Sequence, residues 1–119
     1  MLEKIYFFID EKGRNPVKDF LLDLPVKERA KISAYIIELK QQGHNLRRPM
    51  ADYLGDGIYE LRPGDHRMFY FFFIKNNAVL VHGMRKKTDK IPKEDMALCV
   101  KRREQVKSEK NLTEWNREE

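Results

Sequence analysis

Two arginines, Arg62 and Arg67, bracket the segment PGDH within the run YELRPGDHRMFYFFFI. The proline and glycine mark a tight turn, and the apolar residues around them mark the strands it joins. A four-residue turn over 63–66 sets Arg62 opposite Arg67. Like charges facing each other across strands are destabilising, so the pair calls for an anion. A guanidinium fork grips two phosphate oxygens at once, which makes phosphate a fitting candidate. Downstream, MRKKTDK gathers Arg85, Lys86 and Lys87 at the end of another apolar strand.

The register of that strand decides whether these charges meet. Asn76-Asn77 reads as a two-residue hairpin turn of the kind that tolerates positive φ. Counting back from it pairs Phe71 with His82, Phe69 with Met84 and Arg67 with Lys86. Arg62, Arg67 and Lys86 then form one row across three strands, spanning about 10 Å at the usual strand spacing. The count puts Phe69, Phe71 and Leu80 on the row's face and Tyr70, Val79 and Val81 on the other. A slip of one residue would undo it. His66, inside the turn, can reach a phosphate or act as an acid. His82 reads as a core histidine, and Glu60 as a neutralising partner for Arg62 or Lys86.

Other chemistries find little support. Asp56, Glu60 and Asp65 are too scattered for a metal site. The sequence carries no glycine-rich phosphate loop, zinc signature or serine-hydrolase elbow. Cys99 is the only cysteine, which rules out an intrachain disulfide and a cysteine-based zinc site.

The elements that must position the charges follow from pattern and punctuation. Residues 3–9 read as a strand. Asn15 and Pro16 open a helix as N-cap and first helical residue, and a second helix runs over 25–42 to a stop at Gly43. Residues 43–57 read as a turn-rich connection, followed by strands at 58–62, 67–75 and 78–86. A helix begins at Pro92, with acids in its first turn. The result is an α+β domain in the order β-α-α-β-β-β-α: a small, mainly antiparallel sheet with an N-terminal helical hairpin and a C-terminal helix. The domain is expected to span 1–107, with a frayed polar extension over 108–119.

Across 119 residues the chain is 36% charged, above the usual ~25%, with a formal net charge of +5. That balance favours polyanionic partners but alone speaks only to solubility and non-specific binding. The start resembles no signal peptide, and no apolar stretch approaches the ~18 residues of a membrane span. The expected location is cytoplasmic.

The passage GIYELRPGDHRMFYFFFIKNNAVLVHGMRKKTDKIPKEDMALCVKRREQ resembles the HigB branch of the RelE-like toxins, including the phage-derived Gp49-like group. The resemblance implies a small sheet with helices against it and a toxin of a type II toxin–antitoxin pair. It also implies a metal-independent endoribonuclease that cuts mRNA on the ribosome, with no cofactor. The implied partner is an antitoxin carrying a helix-turn-helix DNA-binding domain. Arg67 matches the family's arginine after the turn, Arg62 the basic position before it, and Arg85, Lys86 and Lys87 the terminal basic cluster. Glu60 stands where some relatives place a lysine, and Ile91 where they place a tyrosine.

On this reading Arg62 and Arg67 stabilise charge developing on the phosphate. Lys86 and Lys87, among positive neighbours that disfavour a charged lysine, take part in proton transfer. Arg85 and His66 contact the substrate. Two other readings stay open. One is a non-catalytic RNA- or DNA-binding module, with steep salt dependence and no product. The other is a subunit whose apolar strands dock a partner.

Overall fold

A computed structural model describes residues 1–116. Its elements are β1 (Lys4–Phe8), α1 (Pro16–Leu22), α2 (Val26–Gln42), β2 (Ala51–Gly55), β3 (Ile58–Leu61), β4 (His66–Phe73), β5 (Asn77–Arg85), α3 (Lys93–Glu109) and β6 (Leu112–Glu114). The strands lie in the order β2-β3-β4-β5-β1-β6. Only β1 and β5 run parallel; the other neighbours are antiparallel. The α+β class and the β-α-α-β-β-β-α order hold, with an edge strand added at each side.

Local chemistry accounts for the helix boundaries. The side chain of Asn15 accepts from the Lys18 N–H at 3.0 Å, and Pro16 occupies the first turn, where its missing donor costs nothing. α2 stops at Gly43, whose positive φ of 55° glycine adopts freely. Gly43 also packs tightly: a side chain there would press on Leu2 at 3.2 Å.

Helices cover both faces of the sheet. Val17, Leu21, Ile32 and Ile36 of α1 and α2 pack with Leu61, Met68, Tyr70 and Leu80 on one face. Cys99 and Val106 of α3 pack with Ile58, Phe69, Phe71, Val79 and Val81 on the other. This double cover explains why β4 reads as a continuous apolar run rather than an alternating one.

The expected register at the β4–β5 hairpin needs correction. Phe73 pairs with Asn77, so the turn is Ile74-Lys75-Asn76 and not Asn76-Asn77. Ile74 and Asn76 both have positive φ, at 51° and 62°. The ladder then shifts between Phe69, opposite His82, and Tyr70, opposite Leu80. Val81 is the extra residue of a β-bulge. Near the turn the expected pairing is off by an odd number, which exchanges the faces of Leu80 and Val79. Past the bulge it is off by two, so the faces are right and the partners wrong: Arg67 lies opposite Met84.

Two strands, β2 and β6, are additional to those expected. β2 and β3 form a hairpin through Asp56-Gly57, whose φ values of 52° and 75° suit a tight two-residue turn. At the far edge, β6 pairs with β1 where fraying was expected. The Trp115 N–H donates to the Ile5 carbonyl at 2.8 Å, and its ring is buried. Apolar burial of one large ring orders an otherwise polar segment. The rest of the expected extension, 117–119, lies outside the described residues.

Candidate nucleic-acid interface

The last β3–β4 pair is Leu61 with Met68, so Arg62 and Arg67 do flank the turn as neighbours across the strands. The anion their juxtaposition demands is internal. Glu60, 3% exposed, accepts from Arg62 Nη1 through Oε2 at 2.7 Å, and its Oε1 lies 3.6 Å from Arg67 Nε. Glu60 thus neutralises Arg62, as expected, and Arg67 as well.

The two arginines differ in what they leave free. Arg67 is buried, and its Nη1 donates to the carbonyls of Gly64 at 2.8 Å and His66 at 2.7 Å. Desolvation, and then the positive charge of Arg62, draws its pKa down. Its guanidinium fastens the turn from beneath. Arg62 keeps 26% of its side chain exposed beside the turn.

The expected row of Arg62, Arg67 and Lys86 does not form, because the bulge and the longer turn put Met84 in the third place. Lys86 stands one step farther along, past the end of β5. Its N–H donates to the Asp65 carbonyl at 2.6 Å, fastening the basic segment to the arginine turn, and its Nζ lies 3.4 Å from Asp89. Lys87 is exposed and lines a cleft of about 360 Å³ with Met84, Thr88 and Asp95.

His66 and Arg85 pair across β4 and β5 but face α2, on the other side of the sheet from Glu60. His66 is buried, edge-on to Phe20 at 5.9 Å between ring centres. Burial, followed by the charge of Arg85, lowers its pKa. Glu28 of α2 receives Arg85 Nη2 at 3.0 Å and lies 3.3 Å from His66 Nε2. The candidate residues therefore divide between two faces, with residues 63–65 as the crest between them.

Sequence reading passed over Glu28 and Asp95. Glu28 looks like an ordinary acid in a helix first turn, stabilised by the helix dipole. Nothing local announces that it meets a strand dozens of residues away. Asp95 accepts from or shares a proton with His82 Nε2 at 2.7 Å, while the His82 ring stacks on Phe69 with centres 5.5 Å apart. Burial lowers the His82 pKa, against the opposing pull of Asp95. That bond closes the base of the segment 83–94, from the end of β5 to the start of α3, which carries Arg85, Lys86 and Lys87. The Cys99 thiol, pushed up to about 12 by burial, is no nucleophile at neutral pH. Among the described residues, no group of three or more His, Cys, Asp or Glu gathers to hold a metal, and no helix is long and apolar enough to cross a membrane.

A small sheet with helices against it is the fold expected from the resemblance to RelE/HigB-like toxins. Residues 19–104 match the phage-derived Gp49-like proteins, and the chain belongs to that family of RelE/HigB-like toxins. Membership implies a cognate antitoxin as partner. No curated protein matches the chain.

Proposed function

We propose that this toxin is an endoribonuclease that cuts mRNA, on the ribosome, without a metal ion. A ribose 2′-oxygen attacks the adjacent phosphorus and gives up its proton. The bond from phosphorus to the 5′-oxygen breaks, and that oxygen takes a proton. The products are a 2′,3′-cyclic phosphate and a 5′-hydroxyl. The observation that carries this reading is the 2.6 Å hydrogen bond from Lys86 N to the Asp65 carbonyl, which fastens one cationic segment to a turn bracketed by two arginines.

In this assignment Arg62 contacts the phosphate and stabilises its developing charge. Arg67 contributes its charge from beneath and holds the turn in shape. Lys86 and Lys87 serve proton transfer, and Arg85 and His66 contact flanking parts of the substrate. The antitoxin would carry a helix-turn-helix domain, and the toxin would work in the cytoplasm. The unit responsible is 1–107.

Mapping RNA ends after incubation with EDTA, with and without programmed ribosomes, tests the reading. New ends bearing a cyclic or 3′-phosphate, lost in Arg62→Ala/Lys86→Ala with the fold retained, are expected. Arg67→Ala is a poor test because it removes a buried turn fastening along with any catalytic charge. RNA left intact in both reactions by a folded protein that still retards RNA in a gel would favour a binding module.

A further inference from the structure

The α2-facing side of the crest holds a cleft of about 290 Å³, lined by Glu28, Lys31, Gly64, Asp65, His66 and Arg85. His66 is only 4% exposed, yet its Nε2 makes no hydrogen bond. The nearby Glu28 oxygen, at 3.3 Å, is an ion-pair neighbour without hydrogen-bond geometry. Buried polar atoms are almost always satisfied, so an unmet one at the wall of a cleft marks a place built for a partner. Arg85, 56% exposed, and Lys31, also exposed, supply positive charge at the mouth. Gly64, at φ 64°, keeps the rim low: a side chain there would stand 3.4 Å from Lys31 Nζ.

The cleft already contains an anion of the chain's own. Glu28 occupies the space between Arg85 and His66, but its side chain is 35% exposed and sits in the first turn of α2. It can swing to water and be replaced.

We propose that this cleft is a second phosphate subsite for single-stranded RNA, in which Glu28 is a built-in competitor displaced by a backbone phosphate. The inference rests on the nuclease reading. An RNA strand gripped at Arg62 and Lys86 crosses the crest at Gly64 and Asp65 and places a following phosphate against His66, Arg85 and Lys31. The imidazole donates one hydrogen bond to a phosphate oxygen, and the two cations add charge-assisted contacts. The subsite sets how much strand on one side of the cut is held, and Glu28 sets how readily it fills.

A 2′-O-methyl RNA oligonucleotide, which has no 2′-hydroxyl to attack, measures binding apart from cleavage. Fluorescence anisotropy should show Glu28→Gln binding several-fold tighter than wild type. Lys31→Ala should bind several-fold more weakly, with the slope of log affinity against log salt reduced by about 0.7, the value for one phosphate contact on a single strand. Affinities unchanged in both variants would overturn the subsite. Inorganic phosphate gives an independent reading through the imidazole NMR signals of the three histidines. A shift at His66, with His82 still, is expected. Phosphate that moves His66 in a protein that yields no new RNA ends, with or without programmed ribosomes, would uphold an anion site and sink the nuclease reading. RNA that binds with no effect from Glu28, Lys31 or phosphate would do the reverse.

Discussion

Arg102 of α3 donates through Nη1 to the carbonyl of Val81 at 2.8 Å, at the point where β5 carries one residue more than β4. A bulge leaves a backbone group without its ladder partner, and here a guanidinium from the covering helix takes it. The same group lies over the Phe8 ring, 5.2 Å from its centre. Burial draws the Arg102 pKa down. Because the bulge restores face parity before His82, Arg102 indirectly sets which way Met84, Arg85 and Lys86 turn.

Arg102→Leu should therefore destabilise the protein by about 1–3 kcal/mol, the usual cost of leaving a buried carbonyl unmet. A urea denaturation curve measures it. A midpoint equal to wild type would show the bulge is held by other means.

Glu60→Ala should cost more, about 3–5 kcal/mol, because it leaves the buried Arg67 guanidinium without its carboxylate. Removing Asp52 from its bond with the exposed Arg48 should cost far less, since water screens that pair. Equal losses in thermal unfolding would show that burial does not govern the Glu60 cluster.

Acidification should weaken the fold between about pH 7 and 5. Both His66 and His82 have pKa values lowered by burial, and the unfolded chain titrates near 6.5. A depressed histidine stabilises above its unfolded pKa, and that contribution is lost as pH falls through the folded value. Glu28 and Asp65 oppose the shift at His66, where Arg85 and Arg67 reinforce it; Asp95 opposes and Arg102 reinforces it at His82. Urea midpoints across this range should fall, and His66→Gln/His82→Gln should flatten the slope. A wild-type midpoint that rises toward pH 5 would contradict this.

Trp115, the only tryptophan, reports on β6 directly. Its buried ring should emit at short wavelength when folded and shift to longer wavelength on unfolding. Trp115→Ala should cost about 3–5 kcal/mol. Long-wavelength emission from the folded protein would mean that β6 does not dock.

What the sequence disclosed was mostly local. The Asn15-Pro16 start, the Gly43 stop and the arginine turn follow from neighbouring residues and stand as read. The Asp56-Gly57 turn was equally visible, but the polar residues around it masked β2. The β5 bulge left no such mark: it arises where Arg102 reaches across from α3, and no window on Val81 contains that contact. For the same reason Lys86, read as the third member of the row, stands one step beyond it with Met84 in its place. Glu28 joins His66 and Arg85 on the other face through α2, beyond the reach of strand counting.

The placement of β1 has a consequence for synthesis. It is an early segment of the chain, yet it lies between β5 and β6. Its ladder partners leave the ribosome only after α1, α2, β2, β3 and β4 have been made. Until then, Ile5, Phe7 and Phe8 lack the surfaces that bury them. Such long-range pairing folds slowly, and exposed apolar segments invite association in the meantime. The same delay keeps the hairpin that carries Arg62 and Arg67 from being locked into a complete sheet during translation. A chain of this topology closes its sheet only once β6 has been made.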